Sequence, residues 1–197
     1  SAEMLFRYHE SLFIFDRGSL ECDESILNTV GINDFADGVT AVETAIRSGT
    51  VRRIIFCMHQ ITDCRWQKER LRGVRLGAWR MSGGAVFVEN YVYGVHGEFP
   101  LNAPSPETVL IACHDEAAVT FIEAGNRRNL HPGKDYKIIG FGDDSRFSQY
   151  ELTTLSPNLE LIAKHLARQI LDSIANREPA ILHSCRVSSK LIRRKTL

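Results

Sequence analysis

Residues 131–145 read HPGKDYKIIGFGDDS, a stretch that joins a turn, a short apolar strand and a glycine–acid loop. The run from Tyr136 to Phe141 predicts a buried strand, because it is short, apolar and bounded by turn residues. The loop Gly142–Asp144 follows that strand directly. It could bind a ligand, take part in chemistry or only end the strand. Its function therefore has to be judged from its neighbours in the fold.

Predicted strands and helices alternate along the chain. Apolar runs predict strands at 11–15, 52–58, 85–92, 108–113, 136–141, 152–155 and 181–192. Helical spacing predicts helices at 35–46, 67–80, 114–128 and 157–176, while glycines and prolines make 93–106 a loop. This order is typical of an α/β fold with parallel sheets, because a parallel partner strand needs a crossover helix. In such sheets the ligand lies beyond the carboxyl ends of the strands.

Polar residues directly after the predicted strands are therefore expected on one rim. They are Asp16, His59, His114, Asp115 and the loop Gly142–Asp144. A neutral histidine such as His114 can donate and accept hydrogen bonds, which suits a sugar hydroxyl, or it can pack under its helix. Asp16 can bind a ligand or cap a loop. For Asp143 and Asp144, ligand binding and turn capping are favoured over catalysis, because adjacent turn residues usually point apart.

Composition excludes several classes of protein. The 197 residues include 24 basic and 24 acidic side chains, and this neutral balance does not favour DNA binding by the chain itself. The five cysteines lack CxxC spacing, so we expect no zinc site or disulfide framework and a cytoplasmic location. No segment predicts a signal peptide or a membrane span.

No phosphate loop, GxSxG elbow or metal-ligand spacing is present, so we expect no enzyme, cofactor or metal.

Five segments, in order, resemble the lactose-repressor/galactose-repressor (LacI/GalR) family of bacterial transcription regulators. They are LFIFDR at 12–17, VGINDFADGVTAVETAI at 30–46, KERLRGVRLGAW at 68–79, LIACHDEAAV at 110–119, and the stretch from HPGKDYKIIGFGDDS through ELTTLSP to KLIRRKTL. Each motif alone is weakly specific, but their common order is more so. The resemblance implies the effector-binding domain of such a regulator, truncated at its N-terminus.

The resemblance implies a fold like that of periplasmic binding proteins, with two α/β lobes joined by three crossovers and a ligand between them. Residues 1–58 plus 156–177 would form an incomplete first lobe, and residues 60–153 plus 180–192 the second.

The ligand pocket implied by the family would include Asp16, Arg70, His114 and Asp143. Arg70 would offer a guanidinium fork to ligand hydroxyls, or would instead form a surface salt bridge beside Glu69 and Lys68. Asp115 would cap its helix.

This sequence departs from the family pattern at several points. His114 replaces the usual asparagine, Gly142 replaces the usual aspartate, and the loop 93–106 replaces a helix. The DNA-binding head of the family would precede Ser1.

The function implied is a sugar-responsive, homodimeric, DNA-binding repressor core whose ligand shifts DNA affinity. The alternatives are a periplasmic-type sugar-binding protein and a small α/β enzyme that uses Asp143 or Asp144.

Overall fold

A computed structural model describes residues 13–16, 28–58, 64–176 and 184–197, giving only the backbone for 13–16 and 28. These residues form two sheets connected by helices, which confirms the predicted α/β class. The strands are β1 (Phe13–Asp16), β2 (Asn28–Ile32), β3 (Arg53–Met58), β4 (Val88–Val92), β5 (Thr108–Ala112), β6 (Lys137–Phe141), β7 (Thr153–Ser156), β8 (Ser184–Val187) and β9 (Lys190–Ile192). The helices are α1 (Asp34–Arg47), α2 (Arg65–Ser82), α3 (Asp115–Asn126) and α4 (Leu159–Asn176), with a 3-10 helix at Ser145–Tyr150.

The larger sheet has six strands in the order β4-β3-β5-β6-β7-β9. Five of them are parallel, whereas β9 runs antiparallel to β7. The chain leaves the larger sheet after β7 and returns to it from the smaller sheet at β9. The end of β7 and the start of β9 therefore lie at the same edge, and the two strands run in opposite directions. The central strands are apolar on both faces, and Phe56, Ile111 and Ile139 have no exposed surface. Such continuous burial is typical of a parallel sheet covered by helices on both sides.

The smaller sheet has three parallel strands in the order β1-β2-β8. Helix α4 packs against it, and Val30, Ile162 and Val187 form a small core there. The sequence patterns did not predict strand β2. Its sequence, NTVGI, contains Asn and Gly, residues depleted in strands. Its strand conformation depends on pairing with β1 and β8 on both sides.

Within residues 28–58, 64–176 and 184–197, the chain passes between the two sheets three times: from β2 to α1, from β7 to α4, and from β8 to β9. The first and third passages are hydrogen bonded to each other, since the Asn33 N–H donates to the Val187 carbonyl at 2.9 Å. The Asn33 side chain also caps α1 by accepting from the Ala36 N–H at 3.1 Å. Helix α1 therefore starts immediately after the chain leaves β2.

The strands are grouped differently from the lobes expected from the sequence. Residues 1–58 were assigned to one lobe, yet β3 lies inside the six-stranded sheet, between β4 and β5. Residues 180–192 were assigned to the other lobe, yet β8 belongs to the three-stranded sheet and only β9 to the larger one. The first passage falls at Asn33 rather than near residue 59. It could not be located from the sequence because β2 was not predicted.

Helices α1 and α2 are in backbone contact. A Cβ atom placed on Gly38 would lie 2.3 Å from the Arg70 carbonyl oxygen, and one on Gly73 would lie 2.0 Å from the Phe35 carbonyl oxygen. Only glycine permits this approach. The contact fixes the first turn of α1 beside the middle of α2, where Asp34 and Arg70 meet.

The connection from β4 to β5 contains turns but neither a helix nor a strand, which confirms the predicted loop. Phe99 and Leu101 are each 4% exposed and fill the core in place of a crossover helix. Phe99 packs edge-on against Tyr136, with ring centroids 5.2 Å apart. Across the residues that the structure describes, no helix combines the length and apolar character needed to cross a membrane.

Candidate functional site

A cleft of about 580 Å³ lies where the chain passes between the sheets, beside the carboxyl ends of β2, β6 and β7. Its walls come from both sheets and from the passages between them. The lining residues are Ile32, Asp34, Asp37, Trp66, Arg70, His114, Asp115, Glu116, Phe141, Gly142, Asp144, Arg146, Leu155, Pro157 and Ser189. The volume suits a small organic ligand, and the position is where open parallel sheets bind ligands.

Arg70 is the most constrained cation of the cleft. It is 7% exposed, and its guanidinium donates from Nη2 to Asp34 Oδ1 and from Nη1 to the Cys113 carbonyl. The guanidinium carbon lies 4.2 Å from the Phe141 ring centroid and 5.1 Å from the Trp66 ring. Arg70 is therefore not an exposed ion pair with Glu69, the alternative that the sequence had left open. Its Nε atom has no hydrogen-bond partner among the described residues.

Two buried carboxylates of α1 also line the cleft. Burial raises the pKa of Asp34, although the adjacent Arg70 acts in the opposite direction. Burial likewise raises the pKa of Asp37, which accepts hydrogen bonds from the backbone N–H and the hydroxyl of Ser189. These two residues connect α1 to α2 and to the third passage. They hold the geometry of the cleft as well as contributing acceptors to it.

His114 and Asp115 both line the cleft, but the helix-capping role expected of Asp115 belongs to His114. His114, not Asp115, is the N-cap of α3, because its Nδ1 accepts from the Ala117 N–H at 3.0 Å. A neutral His114 ring then carries its proton on Nε2. Asp115 is 4% exposed and accepts from Thr154 Oγ1 at 2.7 Å and from the Asp144 N–H at 2.9 Å. The expectation that Asp115 caps its helix was wrong, since it anchors the loop after β6.

The two aspartates of the loop Gly142–Asp144 point in different directions. Asp143 has a left-handed backbone (φ +53°) and pairs with Arg194, with Oδ1 and Nη2 2.6 Å apart. It does not line the cleft. Asp144 does, and it pairs with Arg146 and caps the 3-10 helix. The expectation that Asp143 contacts ligand is therefore not supported by its position, whereas Gly142 and Asp144 do border the cleft.

Several residues of the cleft were not identified from the sequence. Trp66 and Ser189 belong to no motif, and Asp37 was considered only as part of a helix. The Trp66 and His114 rings are tilted by 48° to each other, with centroids 6.2 Å apart. The pair Ser188–Ser189, which interrupts an otherwise extended segment, only weakly predicts that the chain changes sheets there. The side chain of Asp16 and all of His59 lie outside the described residues.

The arrangement can bind a polar molecule without metal ions. Carboxylate acceptors, a guanidinium, a histidine and two aromatic faces surround the cleft, a combination that suits hydroxyl groups and apolar ring faces. Within the described part of the chain, His, Cys, Asp and Glu side chains form no group that could hold a metal.

Two mostly parallel sheets flanked by helices, with a ligand-sized cleft where the chain passes between them, define a two-lobed binding architecture. The chain belongs to the family of periplasmic binding protein-like domains, whose sequence profile matches residues 42–197. The search of curated proteins found no match.

Solved structures share the fold at low sequence identity. A LacI transcriptional regulator from a Rhodococcus species has 19% identity and a TM-score of 0.75, with 99% of this chain and 72% of that chain covered. A LacI-family regulator from Enterococcus faecium with bound ribose has 16% identity and a TM-score of 0.71, covering 99% and 73%. A periplasmic binding protein/LacI transcriptional regulator from Alkaliphilus metalliredigens, complexed with D-xylulofuranose, has 18% identity and a TM-score of 0.69, covering 90% and 68%. These matches confirm the fold that the resemblance implied.

Proposed function

We propose that the cleft binds a small polyhydroxylated effector, a sugar or sugar derivative. The chain would be the effector-binding and dimerisation portion of a cytoplasmic bacterial transcription regulator. Membership of the periplasmic binding protein-like family and the sugar complexes of two structural neighbours support this function. Arg70 and His114 are the proposed ligand-binding residues, and Asp16 is retained from the sequence motif.

The observation that carries the proposal is the state of Arg70. Two of its nitrogens are bound to Asp34 and to the Cys113 carbonyl, while Nε has no hydrogen-bond partner in the part of the chain that the structure describes, and the residue lines the cleft. A buried N–H left without an acceptor costs about 1–3 kcal/mol. Nε is itself buried, so a hydroxyl oxygen of a ligand would supply that acceptor in a lobe arrangement that opens the cleft to it. The guanidinium is fixed in orientation by its two hydrogen bonds, so a ligand that reaches it causes little further loss of side-chain freedom.

The proposed mechanism is a shift between lobe arrangements, with no bond made or broken. The cleft contains groups from helices that pack on the six-stranded sheet, such as Arg70 on α2, and groups from the passages, such as Ser189. A ligand that contacts both favours the arrangement in which both are within reach. If a DNA-binding head precedes this chain, that preference alters the position of the head, and reciprocally DNA alters ligand affinity. A homodimer would match the two-fold half-sites of operators.

The enzyme alternative has less support from the geometry. Asp143 and Asp144 are paired with Arg194 and Arg146, and they face different sides of the loop. Two carboxylates act as a general acid and a general base only if both can reach the same bound substrate, and these two cannot. A sugar-transport protein would have the same fold, so the fold does not distinguish it from a regulator. The gene sequence upstream of the codon for Ser1 does: a helix-turn-helix encoded there supports a regulator, and a signal sequence there supports transport.

A thermal-shift screen of the purified chain tests the proposed site. The panel contains ribose, xylulose, cellobiose, common hexoses, their phosphates and sugar acids. A ligand that binds only the native state raises stability by RT ln(1 + [L]/Kd), about 2.7 kcal/mol at 100 times Kd. We expect at least one neutral sugar to raise the melting temperature in a concentration-dependent manner, and Arg70→Lys to abolish that shift.

The matched control is Arg194→Lys, which changes an arginine outside the cleft and should leave the shift intact. A ligand response that is unchanged in Arg70→Lys would exclude the proposed site. A folded protein that responds to no member of the panel would contradict a sugar effector.

A further inference from the structure

Asp115 is a carboxylate buried in the cleft whose hydrogen-bond donors are neutral. It is 4% exposed and lines the cleft. The Thr154 hydroxyl donates to it at 2.7 Å and the Asp144 N–H at 2.9 Å. Within the part of the chain that the structure describes, Asp115 forms no ion pair. A buried charge is normally paired, because its removal from water is costly. The negative charge of Asp115 is therefore available to a cationic ligand.

The other two buried carboxylates of the cleft lie close to a cation. Asp34 pairs with Arg70, and the charge of Arg70 also acts to lower the pKa of Asp37. The environment of Asp115 is different. Burial raises its pKa, and the nearby Asp143 carboxylate acts in the same direction. A cation bound beside Asp115 would stabilise its charged form.

The space beside the Asp115 carboxylate is open because residue 142 is a glycine. A Cβ atom placed on Gly142 would lie 3.4 Å from Asp115 Oδ2 and 3.7 Å from the carboxyl carbon. Apart from the chain neighbours of Gly142, no other atom of the described residues lies within 4 Å of that position. Gly142 also lines the cleft. A small group of a bound ligand can therefore take the place that a side chain would fill and reach Asp115 Oδ2.

We propose that the effector carries an amine and that its ammonium group lies beside Gly142, in contact with Asp115 Oδ2. This inference rests on the proposed function, because the remainder of the effector is the polyhydroxylated molecule bound in the cleft. An ammonium group is about as large as a methyl group, and a nitrogen at the Cβ position would be within ion-pair distance of Oδ2. Hydrogen bonds between charged groups are roughly twice as strong as neutral ones. The chemical class of the effector is thus an amino sugar.

The charge of the whole cleft favours a cation over an anion. Its described lining residues include five carboxylates and two guanidinium groups. Both guanidinium groups are already paired, Arg70 with Asp34 and Arg146 with Asp144. A sugar phosphate or a sugar acid would therefore meet an excess of negative charge, whereas an amino sugar would be attracted by it.

Calorimetric titration of the full chain at neutral pH tests the proposal. The probes are hexoses with an amine at carbon 2, 3 or 6. Each is compared with its parent hexose, which has a hydroxyl of similar size in place of the ammonium group. The N-acetylated forms keep the nitrogen and remove its charge. We expect at least one amino sugar to bind about tenfold more tightly than both its parent and its N-acetylated form.

Two variants test the position of the ammonium group. Asp115→Asn removes the charge and keeps the shape of the side chain, so the preference for the amine over the parent hexose should disappear. Gly142→Ala fills the space beside Oδ2 and should reduce the same preference by about tenfold. The matched control is Asp143→Asn, which removes a neighbouring negative charge outside the cleft lining. It should change the preference by less than about twofold.

Melting temperatures identify any variant that fails to fold, and in that case the comparison of ligands on the natural chain decides. Parent hexoses that bind as tightly as their amines would overturn the amine and leave the sugar site intact. Tighter binding of a sugar phosphate, or a preference for the amine that persists in Asp115→Asn, would also overturn it. A folded chain that binds neither kind of sugar would contradict the proposed function together with the amine.

Discussion

Asp37 accepts two hydrogen bonds from Ser189, one from its backbone N–H at 2.9 Å and one from its hydroxyl. These residues are 152 positions apart in the chain. The first belongs to the opening turn of α1 and the second to the passage between β8 and β9. The carboxylate therefore ties the first and third passages together at the edge of the cleft, where any change in the arrangement of the sheets has to be accommodated.

Asp37→Asn should change how stability depends on pH. Burial raises the pKa of Asp37, and its hydrogen bonds to Ser189 offset that effect only in part. Between about pH 4, where an unfolded aspartate titrates, and the raised native pKa, the native state binds more protons than the unfolded state. Its contribution to stability is thus complete at low pH and is lost as the pH rises. Asparagine can keep both contacts, by accepting from the Ser189 N–H and donating to its hydroxyl.

Thermal unfolding of both proteins from acid to neutral pH measures this effect. The melting temperature of the natural chain minus that of Asp37→Asn should decrease as the pH rises. A difference that stays constant, or that increases with pH, would show that burial does not dominate at this carboxylate.

Arg70→Lys should destabilise the fold as well as remove ligand binding. A single ammonium group cannot satisfy both Asp34 and the Cys113 carbonyl with the geometry of the guanidinium fork. We expect a loss of about 1–3 kcal/mol in the free energy of unfolding, because a buried acceptor loses its donor. Urea unfolding measures the loss. Arg146→Lys, which changes an exposed arginine that also borders the cleft, is the control, for which we expect no measurable change.

Asp143→Asn should leave ligand binding unchanged. The Asp143 carboxylate pairs with Arg194 rather than entering the cleft, and both side chains are about one-third exposed. We expect the lost ion pair to change stability by less than about 1 kcal/mol, the usual range for such pairs. Asparagine also tolerates the left-handed backbone of this position. Calorimetric titration with whatever sugar the screen identifies provides the measurement. A large loss of affinity would place Asp143 in the binding site after all.

Gly73→Ala should separate α1 from α2. The added methyl group would lie 2.0 Å from the Phe35 carbonyl oxygen, so the helix backbones have to move apart. Overpacking of this kind costs about 1–3 kcal/mol, and here it would also displace Asp34 from Arg70. Gly77→Ala is the milder comparison on the same helix, because its nearest neighbour, Val42 Cβ, would be 3.1 Å away and the surrounding atoms need to shift only slightly. Equal melting temperatures for the two variants would contradict the close backbone contact.

Local patterns were sufficient to predict most of the elements. A strand or helix pattern is a relation between residues close together in the chain, so it can be recognised in the sequence. This applies to the apolar runs of β3, β5 and β6 and to the helical spacing of α1, α2 and α4. Strand β2 was missed because Asn28–Ile32 has a weak strand pattern and is stabilised by partners on both sides. Because β2 was not predicted, the first passage between the sheets was expected near residue 59 and not at Asn33.

The sequence by itself determined the α/β class, the loop in place of a crossover helix, and the rim on which polar residues follow strands. Those features depend on periodicity and on residues adjacent in the chain. The tertiary structure alone decided that Arg70 binds Asp34, 36 positions away, and that Asp143 turns towards Arg194 while Asp144 borders the cleft. Side-chain direction at a left-handed turn and contacts between distant elements depend on how helices and sheets pack, and no local pattern encodes that packing.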